Sequence, residues 1–426
     1  MIVRGGTVVT ARGVEVADIE VADGRITAVG PDLDETADEI DASGLHVFPG
    51  GIDSHVHFNE PGRTEWETIA DGSAALAAGG YTCFVDMPLN SLPVTVDAAA
   101  FDLKLEAATR SSAVDFGLWG GLVPGNLDVL EELAQRGVMG FKAFMCPSGI
   151  DEFPACDTAT LGEGMARIAE LDSILLVHAE DPTRLGSPAG NSARDFIWSR
   201  PADAELEAIS QAIELARRTG CPLHIVHVST GRGAELIQEA QERGVDVSGE
   251  TCPHYLLYVE DDMERMGGIA KCAPPFRTAL DRERLGWMLR DRRLPMVVSD
   301  HSPSTLALKQ DDDFLKVWGG ISGCQSTRQL LLANDDLDLQ LIAAVTATNV
   351  AGRFGLAGKG DIAPGFDADL WIADLGHEDT LRRKDLLYRN PFSAHEGQRI
   401  RGRTVKTLVR GGEPESGRFI RPAARS

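Results

Sequence analysis

From residue 50 onward, short apolar runs alternate with longer amphipathic or alanine-rich stretches. The runs are "GIDSHVHF" (51–58), "YTCFVDM" (81–87), "VDFGLWGG" (114–121), "GFKAFM" (140–145), "ILLVHAE" (174–180), "LHIVHVS" (223–229), "VDVSGET" (245–251) and "PMVVSDH" (295–301). Between them lie "ETIADGSAALAAG", "LDVLEELAQRG", "AELEAISQAIELARRTG" and "GAELIQEAQERG", which carry helical spacing. Nearly continuous apolar strands fit a parallel sheet covered on both faces. About eight of them, mostly separated by helices, is the count of a TIM-type (β/α)8 barrel. A doubly wound open sheet has the same periodicity and stays open as the alternative. The two ends of the chain read differently. "MIVRGGTVV", "VEVADIEVADGRITAVG" and "LHVFPG" mix β-branched residues with turn signals, and "GFDADLWIADL" and "VKTLVRGGEPESG" resemble them. The pattern predicts an α/β chain: a barrel over residues 50–359, and one small β-sandwich domain from 1–49 plus 360–426.

The polar residues inside these runs sharpen the choice. His55 and His57 fall two apart in the first strand and so face the same way. Two imidazoles converging at a strand's end can clasp a metal ion. Lys142 sits inside the fourth run, His178 and His227 close the fifth and sixth, and Asp300 closes the eighth. Each has an ordinary explanation alone: a satisfied core histidine, a lysine snorkelling to the rim, an aspartate capping a helix. In a barrel, however, all C-terminal strand ends open onto one face, where such folds place their chemistry. Convergence of histidines, a lysine and a carboxylate there points to a metal or catalytic site. His224 lies too early in its strand and reads as packing or support. His254 follows the seventh run and lines the mouth without a ligand role, and His301 is a substrate or supporting contact.

Composition removes other classes. The formal net charge of -24 over 426 residues repels phosphate backbones, which argues against nucleic acid and anionic membranes as partners. The seven cysteines are scattered, with no CxxC pair, which fits reduced thiols. No apolar run approaches the roughly 20 residues that span a bilayer, and "MIVRGGTVVTARG" lacks a signal-peptide layout. The expected location is the cytoplasm.

The motifs "GGIDSHVHFNEPGR", "FKAFM", "VHAE", "HIVHVS", "ETCPHYL", "KCAPPFR", "SDHSP" and "GDIAPGFDADL" resemble those of the amidohydrolase superfamily, in the cyclic amidohydrolase group of dihydroorotases, hydantoinases and allantoinases. "FNEPGRTEWE", "DMPLNSLPVT", "CPSGIDEFP" and "WGGISG" are most similar to the allantoinase branch. That resemblance implies hydrolytic opening of (S)-allantoin to allantoate, in allantoin (purine) degradation, by metal-activated water. It implies two divalent metal ions, usually Zn2+, although His and carboxylate ligands also accept Co2+, Mn2+ or Fe2+. By resemblance, His55, His57 and Asp300 hold one ion, and His178 and His227 the other. Lys142 bridges them as N6-carboxylysine, formed with carbon dioxide. Electrostatics agrees, because an ammonium beside two dications is repelled, whereas a carbamate is an anionic ligand. Asp300 then carries the proton from the attacking water to the leaving ring nitrogen.

Substrate contacts are expected from Asn59, the "CPSGIDEF" loop, and backbone groups at Ala273, Gly319 and Gly320. Asn59 separates the branches: dihydroorotases have an arginine at the matching place to pair a substrate carboxylate. Arg63 lies close enough to substitute, so dihydroorotase and hydantoinase or dihydropyrimidinase activity remain alternatives. A noncatalytic scaffold is a third reading, opposed by the full set of ligand-type residues. The family's habit implies a homodimer or homotetramer with a small cyclic amide as substrate.

Overall fold

The structure, a computed structural model, describes residues 1–34 and 38–423. Every apolar run becomes a barrel strand, trimmed at its ends: Gly51–Val56, Tyr81–Asp86, Asp115–Leu118 with Gly120–Gly121, Phe141–Phe144, Leu175–His178, Leu223–Ile225, Val247–Thr251 and Met296–Val297. Neighbours pair in parallel from first to eighth. A parallel bridge between Val56 and His301, with the His57 N–H on His301 O at 2.7 Å, joins the last strand to the first. The ring is therefore a closed (β/α)8 barrel, and the open-sheet alternative falls.

Helices begin where the sequence supplies an oxygen. Thr68, Asp97, Asp157, Thr230 and Thr278 each accept a backbone N–H three residues on. The barrel's interior is filled by Ile52, Cys83, Val85, Trp119, Met139, Leu176, Val226 and Met296, so it is a packed core and no channel. Trp119 interrupts the third strand, and its indole N–H reaches across to Ser54 O at 2.9 Å.

Both ends of the chain meet in one seven-stranded mixed sheet. Its main order is Arg399–Leu408, Leu370–Thr380, His46–Pro49, Ile2–Val9, Val14–Ala22 and Arg25–Gly30, with Glu39–Asp41 beside Ile2–Val9. Only Gly50 separates His46–Pro49 from the first barrel strand. The sheet is thus tethered directly to the strand that carries His55. Residues 417–420 leave the sheet and lie along the third barrel strand, with Phe116 N–H on Arg418 O and Ile420 N–H on Phe116 O. No helix among the described residues is long and apolar enough to cross a membrane.

Candidate metal centre and substrate cavity

The polar side chains stand inside, at the end of, or just past the strands that present them: His55 and Lys142 lie within theirs. His178 is the last residue of its strand, while His227 and Asp300 lie two and three residues past theirs. His227 and Asp300 have positive φ, 39° and 47°, a conformation that costs energy for non-glycine residues. The left-handed twist turns each chain abruptly at the barrel mouth. Hydrogen bonds of the flanking residues hold both turns: Val226 N–H on Val177 O, Val228 N–H on Glu250 O, Ser299 N–H on Asp53 Oδ1 and His57 N–H on His301 O.

The outcome is a close group. Asp300 Oδ1 lies 3.3 Å from His55 Nε2 and 3.4 Å from His57 Nε2. His178 Nδ1 and His227 Nε2 are 3.0 Å apart, and the His55 and His227 rings are 5.4 Å apart. Lys142 is fully buried, its Nζ has no hydrogen-bond partner, and it lies within electrostatic reach of Asp300 and Glu250. An orphaned amine in such a place is costly unless something else is to be bound there.

Three of the four histidines are held in a single orientation by the atom behind them. His55 Nδ1 lies 2.5 Å from Glu250 Oε1, His57 Nδ1 lies 3.3 Å from Leu89 O, and His178 Nε2 lies 2.7 Å from Glu180 Oε2. With those N–H groups directed outward, the remaining nitrogens present lone pairs to the common centre. Glu250 also lies 3.1 Å from His224 Nε2, so His224 supports the centre from behind, as expected.

Ionisation follows the same geometry. Burial pushes the Lys142 ammonium down to about 7, against the opposing pull of Glu250 and Asp300. Burial alone would raise the Asp300 carboxyl, but the facing His55 and His57 outweigh it and hold the group well below its usual range. Burial lowers His57 to about 4, although Asp300 opposes it. Burial and the neighbouring His178 and Lys142 lower His227 strongly. A carboxylate, imidazoles that burial keeps from protonating at His57, His178 and His227, and a readily deprotonated amine are a donor set suited to divalent cations.

These groups open onto a cavity of about 440 Å³, whose wall includes His55, His57, His178, His227 and Asp300. Ala273, Gly319 and Gly320 also line it, as does Pro147–Gly149 of the "CPSGIDEF" loop. Gly320, however, has both backbone groups engaged: its N–H donates to Lys271 O at 2.7 Å and its carbonyl accepts from Lys309 Nζ at 2.5 Å. Its lack of a side chain is the real requirement, since φ is +142° and a Cβ would lie 2.6 Å from Ser302 O. Among the described residues, nothing within the protein takes the Gly319 backbone.

Asn59 is not in the wall. The turn closed by Arg63 N–H on Asn59 O at 2.8 Å tucks residue 59 inside, where its amide atoms have no partner. Leu89, Asn90 and Ser302 line the cavity instead. Arg63 is withdrawn too, with its guanidinium 4.8 Å from the Trp66 ring and 5.9 Å from Trp318. His301 turns to Glu67, its Nδ1 accepts the Gly323 N–H at 3.1 Å, and it is not part of the cavity wall, so it supports the barrel seam. His254 is buried with both ring nitrogens unpartnered, close to Asp300.

Sequence reasoning missed Glu250, Glu180 and Arg200. Each glutamate sits at a strand's carboxyl end ("GET", "HAE"), the same signal that singled out the histidines.

A barrel whose mouth gathers histidines, a lysine and an aspartate is the architecture of a metal-assisted hydrolase. The chain belongs to the amidohydrolase family, whose model matches residues 46–413. It is 52% identical to an allantoinase of Rubrobacter xylanophilus, over 99% of this chain and 97% of that one. It is 51% identical to an allantoinase of Solibacter usitatus, over 96% and 92%. The solved L-hydantoinase (dihydropyrimidinase) of Arthrobacter aurescens superposes with a TM-score of 0.95 at 33% identity, covering 99% of both chains.

Proposed function

We propose that this chain is a cytoplasmic allantoinase that opens the hydantoin ring of (S)-allantoin by hydrolysis to give allantoate, in allantoin degradation. The observation that carries the reading is one cavity walled by His55, His57, His178, His227 and Asp300, with the fully buried Lys142 within electrostatic reach of Asp300 and His227, in a chain about half identical to proteins named allantoinase. His55, His57 and Asp300 would hold one ion, His178 and His227 the second, and Lys142 as a carbamate would join them. Divalent ions there, Zn2+ foremost, supply Lewis acidity toward the ring carbonyl and lower the pKa of water from about 15.7 toward 7.

The chain's own residues do the rest. Asp300 is ionised at neutral pH, so its free oxygen can take the proton of the attacking water and return it to the ring nitrogen as the C–N bond breaks. His55 and His57 keep that carboxylate aimed at the cavity. Open backbone at Ala273 and Gly319 meets the planar ring, and the bare Gly320 lets it approach. Lys142, burial-shifted to about 7, is in part a free amine at neutral pH, the form that captures carbon dioxide.

Among the described residues, no unengaged arginine lines the cavity. Arg63 lies between indoles, and Arg200 is paired with Glu180 at 2.5 Å. A substrate carboxylate therefore has no open partner of that kind, which favours allantoin over dihydroorotate. The working form is a homodimer or homotetramer, by analogy with the family. The test is a side-by-side assay on allantoin, dihydroorotate and hydantoin with metal quantified. Allantoin should be turned over fastest; turnover of dihydroorotate with none of allantoin would overturn the assignment.

A further inference from the structure

We propose that Arg200 decides where the second ion sits, by engaging two side chains that would otherwise capture it. The inference rests on the reading that His178 and His227 hold an ion. His178 belongs to two possible sites at once. Its Nδ1 faces His227 across 3.0 Å, while its Nε2 faces Glu180 Oε2 at 2.7 Å. Cys146 Sγ is 4.0 Å from that same oxygen. Cys146, His178 and Glu180 thus form a second buried set of ligand atoms, all within 4.8 Å of one another. A cysteine sulfur that gives up its proton on binding metal, an imidazole and a carboxylate make a good zinc or cobalt site, with the soft sulfur as an added attraction.

Arg200 closes that alternative. Its Nε donates to Glu180 Oε1 at 3.1 Å and its Nη2 to Oε2 at 2.5 Å, and Nη2 also lies 3.6 Å from Cys146 Sγ. A bidentate guanidinium engages both carboxylate oxygens, and its permanent charge opposes a dication arriving between Glu180 and Cys146. Glu180, so held, still accepts the His178 Nε2–H, which commits the Nδ1 lone pair to the cavity. Phe144 stacks on the His178 ring, with centroids 4.5 Å apart and planes 16° apart, so the imidazole cannot swing to a compromise. Arg200 is accordingly a positioning residue that acts through Glu180 and Cys146.

Cobalt makes the test direct, because a cobalt–thiolate bond has a charge-transfer absorption in the near ultraviolet that imidazole and carboxylate ligands lack. Intact wild-type protein, Arg200→Gln, Arg200→Lys and the double variant Arg200→Gln/Cys146→Ser are loaded with cobalt, and spectrum, metal content and turnover are measured. Wild type should bind cobalt without the thiolate band. Arg200→Gln should gain the band and lose about 10–100-fold in turnover, and the added Cys146→Ser should abolish the band. Arg200→Lys keeps a charge but not the fork and should show a weaker band; it carries the same readout if Arg200→Gln fails to fold. Cobalt bound by the folded Arg200 variants with no thiolate band would overturn the proposal while leaving the metal centre standing. A band that persists without Cys146 would overturn it as well. Wild type that takes up no cobalt would contradict both readings.

Discussion

Two lysines of equal burial mark opposite ends of the barrel. Lys359, beyond the last barrel helix, is surrounded by Asp115, Asp367 and Asp369 at 2.8, 3.1 and 2.6 Å. Burial alone would lower it, but Asp369 and Asp115 outweigh burial and raise it. Lys142 is buried as deeply, has no hydrogen-bond partner, and is lowered to about 7. Both lie among groups that can ligate metal. At Lys359 the protein's own ammonium fills the centre of the carboxylates, and the network staples the barrel to the terminal sheet. At Lys142 the amine makes no ion pair or hydrogen bond among the described residues, and the histidines and Asp300 turn their free atoms to the cavity. A satisfied buried charge reads as architecture, and an unsatisfied one as chemistry.

The comparison breaks most readily by substitution. Asp300→Asn should lower turnover about 10²–10⁴-fold, the range for loss of a general acid–base group; steady-state kinetics with metal content measured in parallel checks it. Lys142→Ala should cost about 10²–10³-fold in turnover of the metal-loaded enzyme, while the melting temperature of the metal-free protein is unchanged or raised, because an unpaired buried amine is removed. Lys359→Ala should do the reverse. It strands carboxylates, costing about 3–5 kcal/mol of stability in denaturant unfolding, while the folded fraction keeps its turnover. Activity lost in Lys359→Ala without loss of stability would erase the distinction.

A pH experiment sharpens it further. Only the neutral amine is carboxylated, and the neutral fraction of a group near 7 rises with pH and then saturates. At a constant concentration of dissolved carbon dioxide, reactivation of metal-stripped protein by metal should rise about fivefold from pH 6 to 7 and at most about twofold beyond. A rise continuing to pH 10 would mean an ordinary lysine. The smallest effect concerns Glu180. Burial would raise it, but Arg200 and His178 outweigh burial and bring it from 4.5 down to about 2. A depressed carboxyl stabilises the fold above its unfolded value and loses that contribution as pH falls toward the folded one. Wild type should therefore lose stability relative to Glu180→Gln between about pH 4.5 and 2.

The barrel was legible because most strands are short, mainly apolar runs separated by helical stretches, and the mouth because polar residues stand within or at the ends of those runs. The His55–His57 spacing, Lys142, His178, His227 and Asp300 all fall at positions that strand periodicity brings together. What stayed hidden depended on contacts between distant segments. Asn59 follows His57 by two residues and looked equally well placed, yet the turn closed by Arg63 takes it inside. Gly320 looked like a free backbone donor, but Lys271 O and Lys309 Nζ, whose contacts no local pattern reveals, already engage it. Arg200 meets Glu180 across 20 residues of loop and helix, a pairing that spacing does not encode.

The most direct measurement is an anomalous-scattering diffraction map of the protein crystallised with zinc and bicarbonate. The account predicts two peaks roughly 3.5–4 Å apart, one among His55, His57 and Asp300 and one between His178 and His227, with extra density on Lys142 Nζ reaching both. A bare Lys142 with no peak among these side chains would contradict it.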